Sequence, residues 1–210
     1  MIYTNEHQKK IRKHIARHTI SVGIGDGNSA CTLATINLAI SGLLTDDIPE
    51  CMSSVLGSTV IVLQDAFTYE LRNSDRYKKL IIDMPGTGKD QEEERLTIIT
   101  DWMWEVVLPM LLPKAERNGF GKEWRTMLSE KTINAASRAS CASHVHDDAT
   151  SCAAGCASMV VDGRYDIIGK ASAAADAAVA AYFLIPGKTF WDDVDVIEML
   201  ERMTYLETNT

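Results

Sequence analysis

Apolar residues recur every three or four positions through most of this chain, which predicts an all-α fold. Residues 6–18 read as a short amphipathic helix with Ile11 and Ile15 on one face. Residues 30–42 form a wide apolar arc through Leu33, Ile36, Leu38 and Ile40, with Ser29 as cap and Gly42 as terminator. A third helix is expected to start at Thr45 or Asp46, carry Pro49 in its first turn and run to Leu63. The run Val60 to Leu63 alone would suit a buried strand, but no second strand-like run lies nearby to pair with it. Asn73 or Ser74 caps a short helix carrying Tyr77, Leu80 and Ile81.

Pro85 to Gly88 is a break, and a long helix over residues 90–112 follows it. Asp90 is its expected cap, and Glu92, Glu93 and Glu94 fill the first turns, where the macrodipole favours negative charge. Pro109 lies inside the apolar pattern and should kink it. Residues 190–206 read as one final amphipathic helix.

The last third changes character. From Ala135 to Ser158, 17 of 24 residues are Ala, Ser, Gly or Cys; from Ala171 to Tyr182, nine of twelve are Ala or Ser. Alanine has the highest helix propensity, so both stretches read as helices joined by a turn at Asp162-Gly163. Small side chains let such helices approach to about 8 Å, the short end of the usual range. The predicted architecture is a compact multi-helix domain with an Ala-rich C-terminal helical hairpin. Its parts are a helical core over residues 1–121 and the hairpin plus final helix over 122–210. The Ala-rich faces also suit a homodimer seam.

Formal charge is −8, which disfavours diffuse attraction to nucleic-acid phosphate. The basic residues Lys9, Lys10, Arg12, Lys13 and Arg17 form a local exception, read first as a solvated helix face. No uninterrupted apolar run approaches the roughly 18 residues of a membrane span. The basic start lacks the apolar segment of a secretory signal. Five cysteines, an odd number in a chain this long, suggest free thiols in a reducing cytoplasm.

Candidate chemistry is sparse. Gly23-Ile24-Gly25-Asp26-Gly27 before a helix suggests a phosphate cradle, but the third glycine comes too early for the dinucleotide fingerprint and Asp26 would repel phosphate. Gly86-Thr87-Gly88-Lys89 resembles the tail of a P-loop, yet Asp83 and Asp90 stand where Gly and Ser or Thr are required. Cys141, His144, His146, Cys152 and Cys156 have partial metal-ligand spacing, but Cys141 and Cys152 would lie about 16 Å apart on one continuous helix. Structural cysteines and no metal are the expectation. His14 and His18, four apart, read as exposed or packed rather than ligating. Cys31 near a helix start has the position of a reactive thiol but no local partner signature. Trp102 and Trp104, two apart, should not share a helix face, so one is expected in the core and the other partly exposed or at an interface. Trp124 completes the interface set.

The segments SVGIGDGNSACTLATINLAISGLLTDDIPECMS, GTGKDQEEERLTIITDWMW and GFGKEWR, with the Ala-rich tail, resemble a family of bacterial and phage proteins with no assigned activity. That resemblance implies a phage or prophage context and transfers no site residues.

The first functional expectation is a non-enzymatic, cofactor-free binding protein that inhibits a host macromolecule or captures a small ligand, without touching nucleic acid or membrane. The rival is a phosphate-ligand enzyme using Asp26, Asn28, Ser29 and Cys31, with Lys89 or the basic N-terminal helix meeting the phosphate. It requires these residues to converge in one pocket.

Overall fold

A computed structural model describes residues 2–26, 28–185 and 189–206. The fold is all-α, with one two-residue parallel bridge between β1 (Thr19–Ile20) and β2 (Ser29–Ala30). Two compact units emerge, Met1–Arg95 with Val196–Thr210 and Leu96–Asp195. The boundary therefore falls inside a helix rather than after residue 121.

The first unit begins with α1 (Asn5–Ile15), whose Ile11 and Ile15 are buried. It packs against α2 (Thr32–Ser41) and α5 (Asp75–Asp83). The cap of α2 is Cys31, not Ser29, because Ser29 and Ala30 are used in the β-bridge. Gly42 ends α2 in the left-handed region, as its position predicts. The helix expected from Thr45 is displaced to α3 (Ser54–Gln64). Asn37 Nδ2 donates to the Thr45 and Asp47 carbonyls at 2.9 and 2.8 Å, satisfying backbone groups that a helix would otherwise use. The run Val60 to Leu63 is helical. Thr68 caps a short α4 (Tyr69–Arg72), and Ser74 caps α5.

Helix α6 (Glu92–Trp102) starts in this unit. Its Glu92 carboxylate accepts from Ser53 Oγ at 2.5 Å, Ser54 N at 2.6 Å and Val55 N at 3.1 Å. The acidic first turn of α6 thus also occupies the N-terminal amides of α3, where a helix has unpaired donors. Arg95 is buried and donates from Nε to Met203 O at 2.9 Å and from Nη2 to Thr87 O at 3.1 Å.

In the second unit the chain past Trp102 widens into a π-helical turn over Met103–Val107 and then tightens into a 3₁₀ turn over Leu108–Leu111. Pro109, which lacks a donor, sits in the tight turn, consistent with the kink read from sequence. Helices α7 (Leu112–Arg117) and α8 (Gly121–Glu130) follow. The wide turn changes the angular spacing of the helix, and Trp102 and Trp104 are both buried. Trp102 Nε1 donates to Val194 O at 2.6 Å, and the fully buried Trp124 donates to Leu108 O at 3.1 Å. All three indoles belong to the chain's own core, which corrects their assignment to an interface.

The small-residue region forms three helices rather than two: α9 (Ile133–His144), α10 (Asp148–Val161) and α11 (Ile167–Leu184). The break falls at Asp147, which caps α10 through Ala149 N and Thr150 N at 2.9 and 3.3 Å and pairs with Lys114 at 2.5 Å. A short acidic side chain favours a cap over a helix interior, so the chain stops there despite the alanines. Ser140 Oγ and Ser151 Oγ each donate to the other's carbonyl at 3.0 Å, closing α9 on α10. The hairpin of α10 and α11 turns at Asp162, which accepts from Arg164 N at 2.9 Å. Alanines 153, 154, 157, 171, 174, 175, 177 and 178 are fully buried, as close helix approach requires.

The expected last helix is split into α12 (Phe190–Asp193) and α13 (Val196–Thr204) by Asp195, whose φ is 43°. Helix α13 lies in the first unit beside α3 and α5, held by an Arg76–Glu201 ion pair of 2.7 Å. Two helical stretches, Glu92–Arg117 and Ile167–Leu184, have the length and mean hydropathy (1.3 and 1.4) of a membrane span, contrary to the sequence reading. In Ile167–Leu184 alanine raises hydropathy without forming a recognisable run of large apolar residues. In each, 44% of the qualifying window is buried within the protein.

Candidate functional site

The glycine-rich segment is a closed loop whose ends are joined by the β1–β2 bridge. Asn73 fastens β1 by accepting from Ile20 N at 2.9 Å and donating to Ile20 O at 3.1 Å. Gly25 has a φ of +81°, and a Cβ there would lie 1.9 Å from Ser29 O. Four of the described loop amides, those of Gly23, Asp26, Asn28 and Ser29, are paired within the protein. Asp26 accepts from Asn28 N at 2.9 Å and Ser29 N at 3.2 Å, and Gly23 N donates to Asp65 Oδ1 at 3.2 Å. Those two backbone donors hold the exposed Asp26 carboxyl below its usual range.

Cys31 lies in a different environment. It is buried, accepts from Ala34 N at 3.4 Å, and borders a cavity of about 40 Å³ with Leu33, Asp46, Gln64 and Asp65. That space suits two or three waters at roughly 15 Å³ each, not a nucleotide. Burial pushes the Cys31 thiol up, so it stays protonated despite its place at a helix start. Lys89 is exposed beyond the turn at Gly88, and its charge acts on Glu50. Asn28 offers its carbonyl to His18, and Ser29 is part of β2. Among the described residues Asp26, Asn28, Ser29, Cys31 and Lys89 therefore do not line one pocket.

The structure assembles a different set. An open cleft of about 260 Å³ is lined by Lys10, Lys13, His14, Arg17, His18, Leu38 and Ala39. Positions 10, 13, 14, 17 and 18 recur at helical spacing, so α1 and the turn after it present all five on one stripe. Leu38 and Ala39 come from α2. Among the described residues no carboxylate lines the cleft, and Lys10, Lys13 and Arg17 make no ion pair. Lys13 lies in the last turn of α1, where the helix end attracts a cation by about 0.3–1 kcal/mol.

The imidazoles are arranged rather than scattered. The His14 and His18 rings lie 4.4 Å apart. His18 Nδ1 is 3.0 Å from Asn28 O; a carbonyl only accepts, so Nδ1 carries the proton and Nε2 is left for another partner. His14 Nε2 is buried with no hydrogen-bond partner. Burial, followed by the neighbouring His18, lowers the pKa of His14. A second, larger basic groove of about 430 Å³ between α1 and α5 includes Arg12, Lys78, Lys79 and Asp75, where the carboxylate offsets part of the charge.

The candidate metal residues are dispersed. Cys141 lies on α9, and Cys152 and Cys156 lie on α10. His144 pairs with Asp148 at 3.7 Å, while His146 stacks on Phe120 with ring centroids 5.7 Å apart. Among the described residues no group of three or more His, Cys, Asp or Glu side chains is arranged to hold a metal ion.

No protein-family model, curated protein or solved structure matches this chain. The functional reading rests on the geometry of its own residues.

Proposed function

We propose that the protein is a non-enzymatic binder of a small, multiply charged anion, of the phosphate-monoester class, held in the cleft between α1 and α2. The supporting observation is the stripe Lys10, Lys13, His14, Arg17 and His18 on a chain of net charge −8, with no carboxylate in the cleft. Clustered charge of one sign beside apolar walls focuses the field on an incoming counter-ion even when the whole protein is acidic. Arg17 supplies a planar fork for oxyanions, and the lysines supply mobile point charges. Of the two occupants expected from sequence, a host macromolecule and a small ligand, the cleft's size favours the small ligand.

Isothermal calorimetry with sulfate and with glycerol 3-phosphate tests this. Both should bind, and the double variant Lys13→Ala/Arg17→Ala should weaken them at least about tenfold, near 1.4 kcal/mol. Failure of either ion to bind at millimolar concentration, or an unchanged affinity in the double variant, removes the proposal.

A further inference from the structure

A second concave surface lies in the Ala-rich unit and has the opposite chemistry. A groove of about 580 Å³ runs between α10 and α11, within the size range of small-molecule sites. Its apolar lining comes from Ala149, Val179, Ala180 and Phe183. Phe183 is 72% exposed, so a large ring stands in water beside alanines that leave space over the backbone. The polar lining consists of two carboxylates, Asp148 and Asp176, and two thiols, Cys152 and Cys156. Among the described residues no cation lines the groove. Asp176 has no ion pair or hydrogen bond there, and partial burial pushes its carboxyl up.

We propose that this groove binds an organic ammonium ion bearing an apolar chain or ring. The ammonium would meet the Asp176 carboxylate, with Asp148 adding to the negative field. The apolar part would cover Val179, Ala180 and the Phe183 ring, and an aromatic face also attracts an adjacent cation. An anion of the same shape would face two carboxylates. A neutral analogue would cover Asp176 without giving it a partner, which costs affinity. Charge complementarity thus selects the cationic ligand, and this inference is independent of the anion cleft in the other unit.

The test uses the full chain and three probes of equal length: octylammonium, octan-1-ol and octanoate, titrated by calorimetry at constant ionic strength. Octylammonium should bind at least tenfold more tightly than octan-1-ol, with octanoate weakest, and should slow maleimide labelling of the exposed Cys152. Asp176→Asn should bring the amine and the alcohol to equal affinity, and Phe183→Ser should weaken both. The two positions are exposed, and circular dichroism should report an unchanged fold. Equal binding of amine and alcohol by the native protein, or an amine preference that survives Asp176→Asn, overturns the proposal. Sedimentation showing a dimer that Phe183→Ser dissociates would assign the groove to a second copy of the chain and overturn it equally.

Discussion

His18 donates its Nδ1 proton to the carbonyl of Asn28 across 3.0 Å, and that bond links the glycine-rich loop to the basic stripe of α1. The loop's role is to fix the tautomer of an imidazole that lines the cleft.

The first prediction concerns pH. His14 has a lowered pKa in the free protein, because burial and His18 oppose its charge. Its neutral form is favoured by folding, so stability falls as pH drops through the ordinary histidine value of about 6.5. An anion in the cleft reverses the preference and draws a proton onto His14. Sulfate affinity should therefore rise several-fold from pH 7.5 to 5.5, with proton uptake seen by calorimetry in two buffers. Sulfate does not titrate in this range, so the slope belongs to the protein. His14→Gln should flatten it, and an unchanged slope in that variant would rule out His14 as its source.

Two loop glycines should respond differently to alanine. Gly25→Ala places a Cβ 1.9 Å from Ser29 O at a φ of +81°, so the loop must move. At Gly23, with a φ of +65°, a Cβ meets nothing within 4 Å. Gly23→Ala should cost about 1 kcal/mol, the left-handed penalty alone. Gly25→Ala should cost about 2–3 kcal/mol or more and weaken sulfate binding, because the clash displaces the strand next to Asn28. Urea denaturation of the two variants measures the difference.

Glu92 should matter more to stability than its partly exposed position suggests. Three donors at the start of α3 converge on its carboxylate. Glu92→Ala leaves two backbone amides and a buried serine without that acceptor, and should destabilise by about 2–3 kcal/mol. Substitution of the exposed Glu94, Glu94→Ala, should change the urea midpoint much less.

Overpacking should be costly in the Ala-rich unit. Ala157 on α10 is fully buried. Ala157→Leu should destabilise by about 1–3 kcal/mol through displaced helix packing, although leucine is an adequate helix former. A thermal midpoint equal to the native value would show that the helices do not approach as closely as described.

Much of the secondary structure is legible in the residues. The amphipathic pattern around Ile11 and Ile15 marks α1, Gly42 ends α2, Ser74 caps α5, and the Asp162-Gly163 turn separates α10 from α11. These features depend on local backbone chemistry. Other boundaries moved because partners distant in sequence were needed to set them. Asn37 holds Thr45 and Asp47 out of a helix, and Lys114 pairs with the Asp147 cap that divides the alanines.

The candidate site was half visible. The stripe at 10, 13, 14, 17 and 18 repeats at helical spacing, and that periodicity of basic and imidazole residues is the signal that could have found it. On α1 alone it is a solvated face; α2 supplies Leu38 and Ala39 and makes it a cleft.

Composition and periodicity alone determined that this chain is helical and where its small-residue helices lie, since both follow from 3.6-residue spacing and side-chain size. Tertiary structure decided which charges face one cleft, that three tryptophans are core, and that Asp26 and Cys31 part company. Those outcomes depend on contacts between residues far apart in the chain, and no local pattern encodes such distances.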